Sequence, residues 1–567
     1  MTNAALRRLR TLDPARAAFA LHLASLVFAF GFLLYVNRHQ WFNGDEWGPL
    51  AYRRLVGGHG FKGMFDPVGG AHWGTLTILS YRLLFTVFGA RTYFPYVVVM
   101  VAFQVLAAHL LWRVALRARV DPLVATVGAA VFGVLAAGYS ILTQAAGLYQ
   151  TGAVALGLAA VLVAPDEGPL GRRDAAAALL ALGSLLFFSG VGIPMLFVLA
   201  LRLLLTRGVK VAAAVVALPA FALLLWLVTY LPKASRNIYG DPFGEIVRKT
   251  PELAWRGLVA AVDQTTGLPG IGPVILVLAF GWAVHRAVLR TAPWPLLLAV
   301  TAGGLLYLPL IALGRSGLGV EAATASRYLY TIVAFMLPIL LAAAASSLAP
   351  VPLRVGTIAV LGVALMVVQV TALNRVAGDR ATAEQHAERS VLATVRILHD
   401  GDRVTDTFRL LAPIIPLSVH QIRDLAADGA FPDQPAPTRR DVLDARLFLQ
   451  AGVSAKPLLP RARRLPSSRV RNAQLEAAAP GCRAFRTGPV RAVAILRFES
   501  PGSLALLSER EAKASFELVD PETKQRTGRR SFRLVAGEQF FNFGTTKAYV
   551  LLVLPTDNVV QLCVPAG

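Results

Sequence analysis

Two adjacent carboxylates, Asp45 and Glu46, stand between Trp41 and Trp47 a few residues after a long apolar run. Acids at a membrane surface flanked by tryptophans can be a solvated turn after a helix. They can also be a general base held where a lipid-borne substrate presents its reactive carbon. The same loop carries Asp66, His59, His72 and Trp73. Tryptophans here suit either interfacial anchoring or sugar stacking, and His72 read alone is a hydrogen-bonded loop histidine. Further along, the stretch "SRYLY" brings Arg327 to the end of another apolar run with Tyr328 and Tyr330 beside it. An arginine there is either a snorkelling side chain or a phosphate contact. A short turn with Gln144, Tyr149 and Gln150 supplies further polar groups.

These types together fit sugar transfer outside the cytoplasm. No nucleotide sugar is available there, so the donor is a lipid-anchored sugar phosphate. The reaction needs a carboxylate to take the acceptor proton, cationic or amide donors for the leaving phosphate, and a groove for a prenyl tail. Asp45 and Glu46 are the candidate catalytic pair. His72, Trp73, Asp66, Arg327, Tyr328, Gln144 and Tyr149 are the candidate substrate contacts. No cofactor is firmly implied; a divalent cation is a candidate, with Asp45 and Glu46 as its ligands if one binds.

The elements that must position these groups follow from composition. Of 567 residues, 55% are apolar and 16% charged, with a mean hydropathy of +0.57, against roughly 25% charged in soluble domains. This is an α-helical polytopic membrane protein. A span takes about 20 apolar residues, and eleven runs qualify: 17–36, 94–116, 123–139, 148–163, 175–188, 191–205, 211–230, 271–285, 295–313, 328–348 and 355–373. The run 75–89 is ambiguous. Arg82 at its middle would cost roughly 2.5–3.5 kcal/mol at a bilayer centre. Leaving it out places Arg113, Arg117, Arg119, Arg172, Arg173, Arg207, Lys210, Arg286, Arg290 and Arg354 on the side of the N-terminal Arg7, Arg8 and Arg10, as the positive-inside rule requires. The run 75–89 is then a surface helix. The first run reads as an uncleaved span, and Ser189 to Pro194 break 175–205 into a hairpin. The loop 231–270 carries Lys233 and Arg236 and an amphipathic stretch around Trp255. The expected arrangement is a plasma-membrane protein with a cytoplasmic N-terminus and an extracytoplasmic C-terminal domain.

The chain divides into a membrane domain, 1–375, with its first outer loop at 37–93. A helical segment and Pro/Arg-rich linker follow at 376–480, the polar helix running over 381–398. The β-sandwich-like domain spans 481–567, where runs such as "VRAVAILRF" and "AYVLLVL" alternate with period two. It is either a glycan-binding module or a structural cap. The chain's two cysteines, Cys482 and Cys563, lie at its two ends, which suggests a disulfide and an oxidising compartment; two buried thiols are the alternative. The net charge of +23 suits lipid phosphates or an anionic wall polymer. Nucleic acid is not expected, because no binding motif accompanies the charge.

The pattern resembles a family. One span leads into a large outer loop with an early acidic pair, then into "HWGTLTILSYRLLFTVFG" at 72–89 and a span ending in arginines. This is similar to the GT-C superfamily, which includes protein O-mannosyltransferases, aminoarabinose transferases and mycobacterial arabinofuranosyltransferases. The resemblance covers 17–375 and rests on short motifs. It implies Asp45 as the base, Glu46 as its partner or a metal contact, a polyprenyl-phosphate sugar as donor, and a cell-envelope glycan, lipid or protein as acceptor. His72 is followed by Trp73-Gly74 and not by the Pro-Pro of the mannosyltransferases, so no subfamily carries over. By layout alone the C-terminal domain looks like the outer domains of actinobacterial arabinosyltransferases. Competing readings are a glycan polymerase or ligase, a transporter of lipid-linked glycan, and a non-catalytic scaffold. Transport would want ionisable residues within the spans, which hold few polar groups, Gln104 and His109 among them.

Overall fold

The computed structural model describes residues 14–48, 50, 62–68, 71–230, 241–288, 294–348, 354–399, 404, 417–432, 436–545 and 547–565. Arg7, Arg8, Arg10, His59, Lys233, Arg236 and Arg290 lie outside them. The chain forms two compact units, residues 1–88 with 93–382 and residues 89–92 with 383–567.

The first unit is helical. Its elements are α1 (Pro14–Val36), the short α2 (Gly44–Trp47), α3 (Thr75–Phe88), α4 (Phe94–Arg117), α5 (Pro122–Gly133), the short α6 (Tyr139–Leu142), α7 (Leu148–Val163), α8 (Arg172–Phe187), α9 (Ser189–Arg207) and α10 (Val209–Tyr230). Then come α11 (Phe243–Thr266), α12 (Gly272–Val288), α13 (Trp294–Arg315), α14 (Ser326–Leu348) and α15 (Arg354–His399). Among the described residues nine helices are long and apolar enough to cross a membrane. The runs 175–188 and 271–285 correspond to helices of 16 and 17 residues, near or below the length of a span, so the count of eleven is reduced to nine by this measure. The surface-helix reading of 75–89 corresponds to the 14-residue α3, where Arg82 is buried. The hairpin is present, but its break falls at the extended Phe188, and Pro194 sits inside α9. Span 355–373 and the polar segment 381–398 are one helix of 46 residues, so the seam at 382/383 falls within it and not at 375/376.

Small residues let the helices approach closely. Gly152 lies against Phe187, Gly157 against Met195, and Gly183 against Leu156. Where polar groups are buried in the bundle they join helices. Gln104 donates to the Phe132 carbonyl at 2.7 Å and accepts from the Tyr330 hydroxyl at 2.7 Å, so α4, α5 and α14 share one amide. At one end of the bundle Arg202 is 1% exposed, pairs with Asp166 and donates to the Ala164 carbonyl. Arg117 joins the same Asp166 at 2.6 Å.

The second unit holds two short helices, α16 (Val419–Ala427) and α17 (Arg439–Leu449), and two antiparallel sheets. The six-stranded sheet runs β1 (Ala451–Ser454), β9 (Gly537–Phe543), β6 (Gly502–Ser508), β11 (Val559–Cys563), β4 (Cys482–Thr487), β3 (Ala473–Glu476). The five-stranded sheet runs β2 (Ser467–Arg471), β5 (Ala492–Arg497), β10 (Tyr549–Leu554), β7 (Ala512–Val519), β8 (Arg530–Leu534). One apolar core takes residues from both sheets, Phe485, Leu504 and Phe541 from one and Leu496, Phe516 and Leu552 from the other. The segment expected as a linker contributes α17, β1 and β2, because its apolar Leu443, Leu447 and Ala451 belong to that core. Cys482 and Cys563 are directly opposed on β4 and β11 and form a disulfide with Cα atoms 4.0 Å apart.

Candidate functional site

The acidic pair splits into two environments. Asn43 caps α2 and its backbone N–H donates to Glu46 Oε2 at 2.6 Å, closing a capping box. Glu46 is wholly buried. Its Oε1 accepts from the Tyr81 hydroxyl at 2.9 Å, the Tyr93 hydroxyl at 2.7 Å and the Ala146 N–H at 2.9 Å. Trp41, Phe42 and Trp47 pack on one another, and Phe42 packs on the Tyr93 ring that donates to this carboxylate. One carboxylate thus ties the segment after α1 to α3, to the start of α4 and to the turn before α7. Burial and the adjacent carboxylate hold the Tyr81 phenol well above its ordinary range, so it remains a donor. Asp45, one residue earlier, is exposed.

The second cluster forms around His72-Trp73-Gly74. His72 pairs through its backbone with Val68, donating at 3.0 Å and accepting at 2.7 Å. Trp73 is locked to the α8–α9 break: its N–H donates to Ser189 Oγ at 2.9 Å, and the Ser189 N–H donates back to its carbonyl at 3.0 Å. Its indole stacks on Trp226 at 5.7 Å, and Trp226 Nε1 donates to the Phe65 carbonyl at 2.7 Å. Asp66 sits half-buried in that turn, between Phe65 and Val68. Because Trp73 is buried, it is a wall of the site and not a free stacking platform.

The His72 ring lies 4.4 Å from that of Phe188. Tyr149 packs on Phe188 from the α7 side and lies against Gly74, where an added Cβ would be 2.8 Å from Tyr149 Cε1. Glycine is required at 74 by this approach.

Two cations complete the cluster. Arg315, the last residue of α13, donates through Nε to the Tyr328 hydroxyl at 2.9 Å, and the exposed Arg327 lies 5.2 Å over the Tyr328 ring. Burial, with further contributions from Arg315 and Arg327, pushes the His72 imidazole down to about 4. At neutral pH the histidine is an uncharged donor or acceptor beside a doubly cationic pole. Gln144 accepts from Arg380.

The structure therefore gathers His72, Trp73 and Tyr149 around Phe188 and Ser189, sets Arg315 and Arg327 on Tyr328 with an electrostatic influence that reaches His72, and gives Glu46 an anchoring position. Residue-type reasoning did not single out Arg315, Tyr81, Tyr93, Phe188, Ser189 or Trp226. A signal for Arg315 was present: it is a basic residue at the end of a span opposite to the expected side of positive charge. Among the described residues no group of three His, Cys, Asp or Glu side chains converges as a metal centre would need, and four donors occupy the oxygens of Glu46.

Separately, an apolar groove of about 740 Å³ lies between α1, α5 and α15, lined by Leu21, Phe28, Val127, Gly362, Met366 and Val370 among others. No protein-family model, no curated protein and no solved structure matches this chain.

Proposed function

We propose that the protein transfers a sugar from a polyprenyl-phosphate donor to a cell-envelope glycan, lipid or protein on the extracytoplasmic side of the membrane, as a glycosyltransferase of GT-C type. The observation that carries this reading is the pairing of Arg315 and Arg327 on Tyr328, whose charge also acts on the buried His72. Two guanidinium groups and a hydroxyl match the oxygens of a sugar phosphate and its leaving phosphate. Asp45 is the general base: it is exposed to an incoming acceptor and sits on a short helix that Glu46 anchors. The groove between α1, α5 and α15 suits a prenyl or acyl chain. The finer topology belongs to the same proposal. Counting α8 and α12 as short spans gives eleven, with the N-terminus inside and the second unit outside. Against transport stands the use of the buried amide of Gln104, which joins helices.

The test uses the full chain in nanodiscs, with undecaprenyl phosphate as the binding probe and polyprenyl-phosphate sugars as donors. Asp45→Asn is expected to lower turnover by about 10²–10⁴-fold with probe binding retained. Arg315→Ala combined with Arg327→Ala is expected to weaken probe binding by roughly 10–100-fold, from the loss of charge-assisted hydrogen bonds. Near-normal turnover in Asp45→Asn would reduce Asp45 to a solvated turn residue. Undiminished probe binding in the double arginine variant would remove the phosphate pole.

A further inference from the structure

We infer that the outward face of the five-stranded sheet binds a linear anionic polysaccharide. Successive strand residues point to opposite faces. In this sheet Ala494, Leu496, Phe516, Leu518, Val550 and Leu552 belong to the shared core. The alternate positions therefore face away from it, and the register aligns them across strands. Arg471 stands opposite Val493, and Val493 opposite Val553. Arg469 stands opposite Ile495, and Ile495 opposite Leu551. Arg497 stands opposite Ser467 with its guanidinium 5.9 Å over the Tyr549 ring, and Tyr549 stands opposite Val519. The result is an apolar stripe, separate from the core, that includes Val519, Leu551 and Val553, with arginines along one flank.

The charge on this face is one-sided. Glu517 is the only acid in the five strands, and Arg529 neutralises it at 2.8 Å. Arg469, Arg471 and Arg497 are exposed and make no ion pair among the described residues. Arg469 and Arg471 are two residues apart on one strand, about 6.6–6.8 Å, and Arg497 is on the strand about 4.8 Å away. A row of forked donors at that pitch engages carboxylates or phosphates repeated along an extended chain.

The stripe decides between a polymer and a lipid surface. Leu551 and Val553 are each 8% exposed and Val519 9%, so the apolar atoms lie below the cationic tips. Val493, Ile495 and Tyr549 are half-buried, so among its described residues the stripe has no fully exposed apolar side chain to insert into a bilayer. A flat chain resting on the rim is served by the arginines and by the exposed hydroxyls of Ser467 and Ser531. The bland alternative is that arginines on β2, an edge strand, only discourage pairing with other chains.

The experiment uses the full chain in nanodiscs of neutral lipid, so that it is independent of the transferase reading. Labelled polygalacturonate is the anionic probe and dextran the neutral one, both titrated over a range of salt. Polygalacturonate is expected to bind in a salt-sensitive way, with no comparable binding of dextran. Replacing Arg469, Arg471 and Arg497 together by Gln should weaken polygalacturonate binding by about tenfold or more at an unchanged Tm. Replacing Arg486 and Arg510, outside this sheet, should leave it unchanged. Equal loss in both variants means non-specific charge and overturns the inference. Undiminished binding in the triple variant, or no binding to the wild type, assigns the arginines to edge protection. Loss confined to capture of phosphatidylglycerol vesicles, with polygalacturonate binding intact, assigns the face to a lipid surface.

Discussion

At the scale of single residues, the neighbours Asp45 and Glu46 have separate physical roles. A buried carboxylate without partners would neutralise or destabilise the fold. Glu46 avoids this with donors from Asn43, Tyr81, Tyr93 and Ala146. Glu46→Ala would leave those donors unmet in a dry nest, which should cost about 3–5 kcal/mol, the usual penalty for breaking a buried charged contact. Thermal unfolding of the purified variant would show it, while Asp45→Asn should stay within about 0.5 kcal/mol of the parent, as exposed substitutions do. A stable Glu46→Ala protein that fails only in turnover would move Glu46 from anchoring to chemistry. The sequence carried the pair, its aromatic flanks and Arg327 through residue type and spacing. It could not distinguish the two acids, because the donors that bury Glu46 come from positions 35, 47 and 100 residues away.

At the scale of elements, the site depends on where α8 stops and α9 begins. Phe188 is extended, so Ser189 can pair with Trp73 and Phe188 can face both His72 and Tyr149. Gly74 allows the approach of Tyr149, and Val68 is equally near on the other side, 2.8 Å from a Cβ placed there. Gly74→Ala should therefore overpack this seam at a cost of typically 1–3 kcal/mol, read as a fall in Tm with loss of transfer. Gly281→Ala is the matched control: an added Cβ there meets open space, and Ala is the better helix former. Equal stability of the two variants would show that the seam yields. Most helices were legible as apolar runs because hydropathy is a property of each segment alone. The break at Phe188, one residue before the Ser189–Pro194 signal, was set by tertiary pairing with Trp73, which no local pattern encodes.

At the scale of the whole molecule, the proposed topology rests on the arginine distribution and on α3 staying out of the span count. Reporters fused after Gly89 and after Asn374 should both read as extracytoplasmic; a cytoplasmic signal after Asn374 would sink the eleven-span arrangement. The β-rich C-terminal region was visible as alternating runs, and the Cys482–Cys563 pairing as two cysteines bracketing one domain. The strands inside the Pro/Arg-rich stretch were not visible, since β2 is short and polar everywhere but Val470. The strand order has a consequence for synthesis. In the six-stranded sheet β11 lies between β6 and β4, yet it is made after all ten other strands. Until residues 559–563 emerge, the sheet exists only as two unjoined parts, β1-β9-β6 and β4-β3, each exposing an unpaired edge. Nascent chains stalled before Val559 should therefore be held open, and the oxidation that joins Cys482 to Cys563 can occur only as the centre of the sheet is filled.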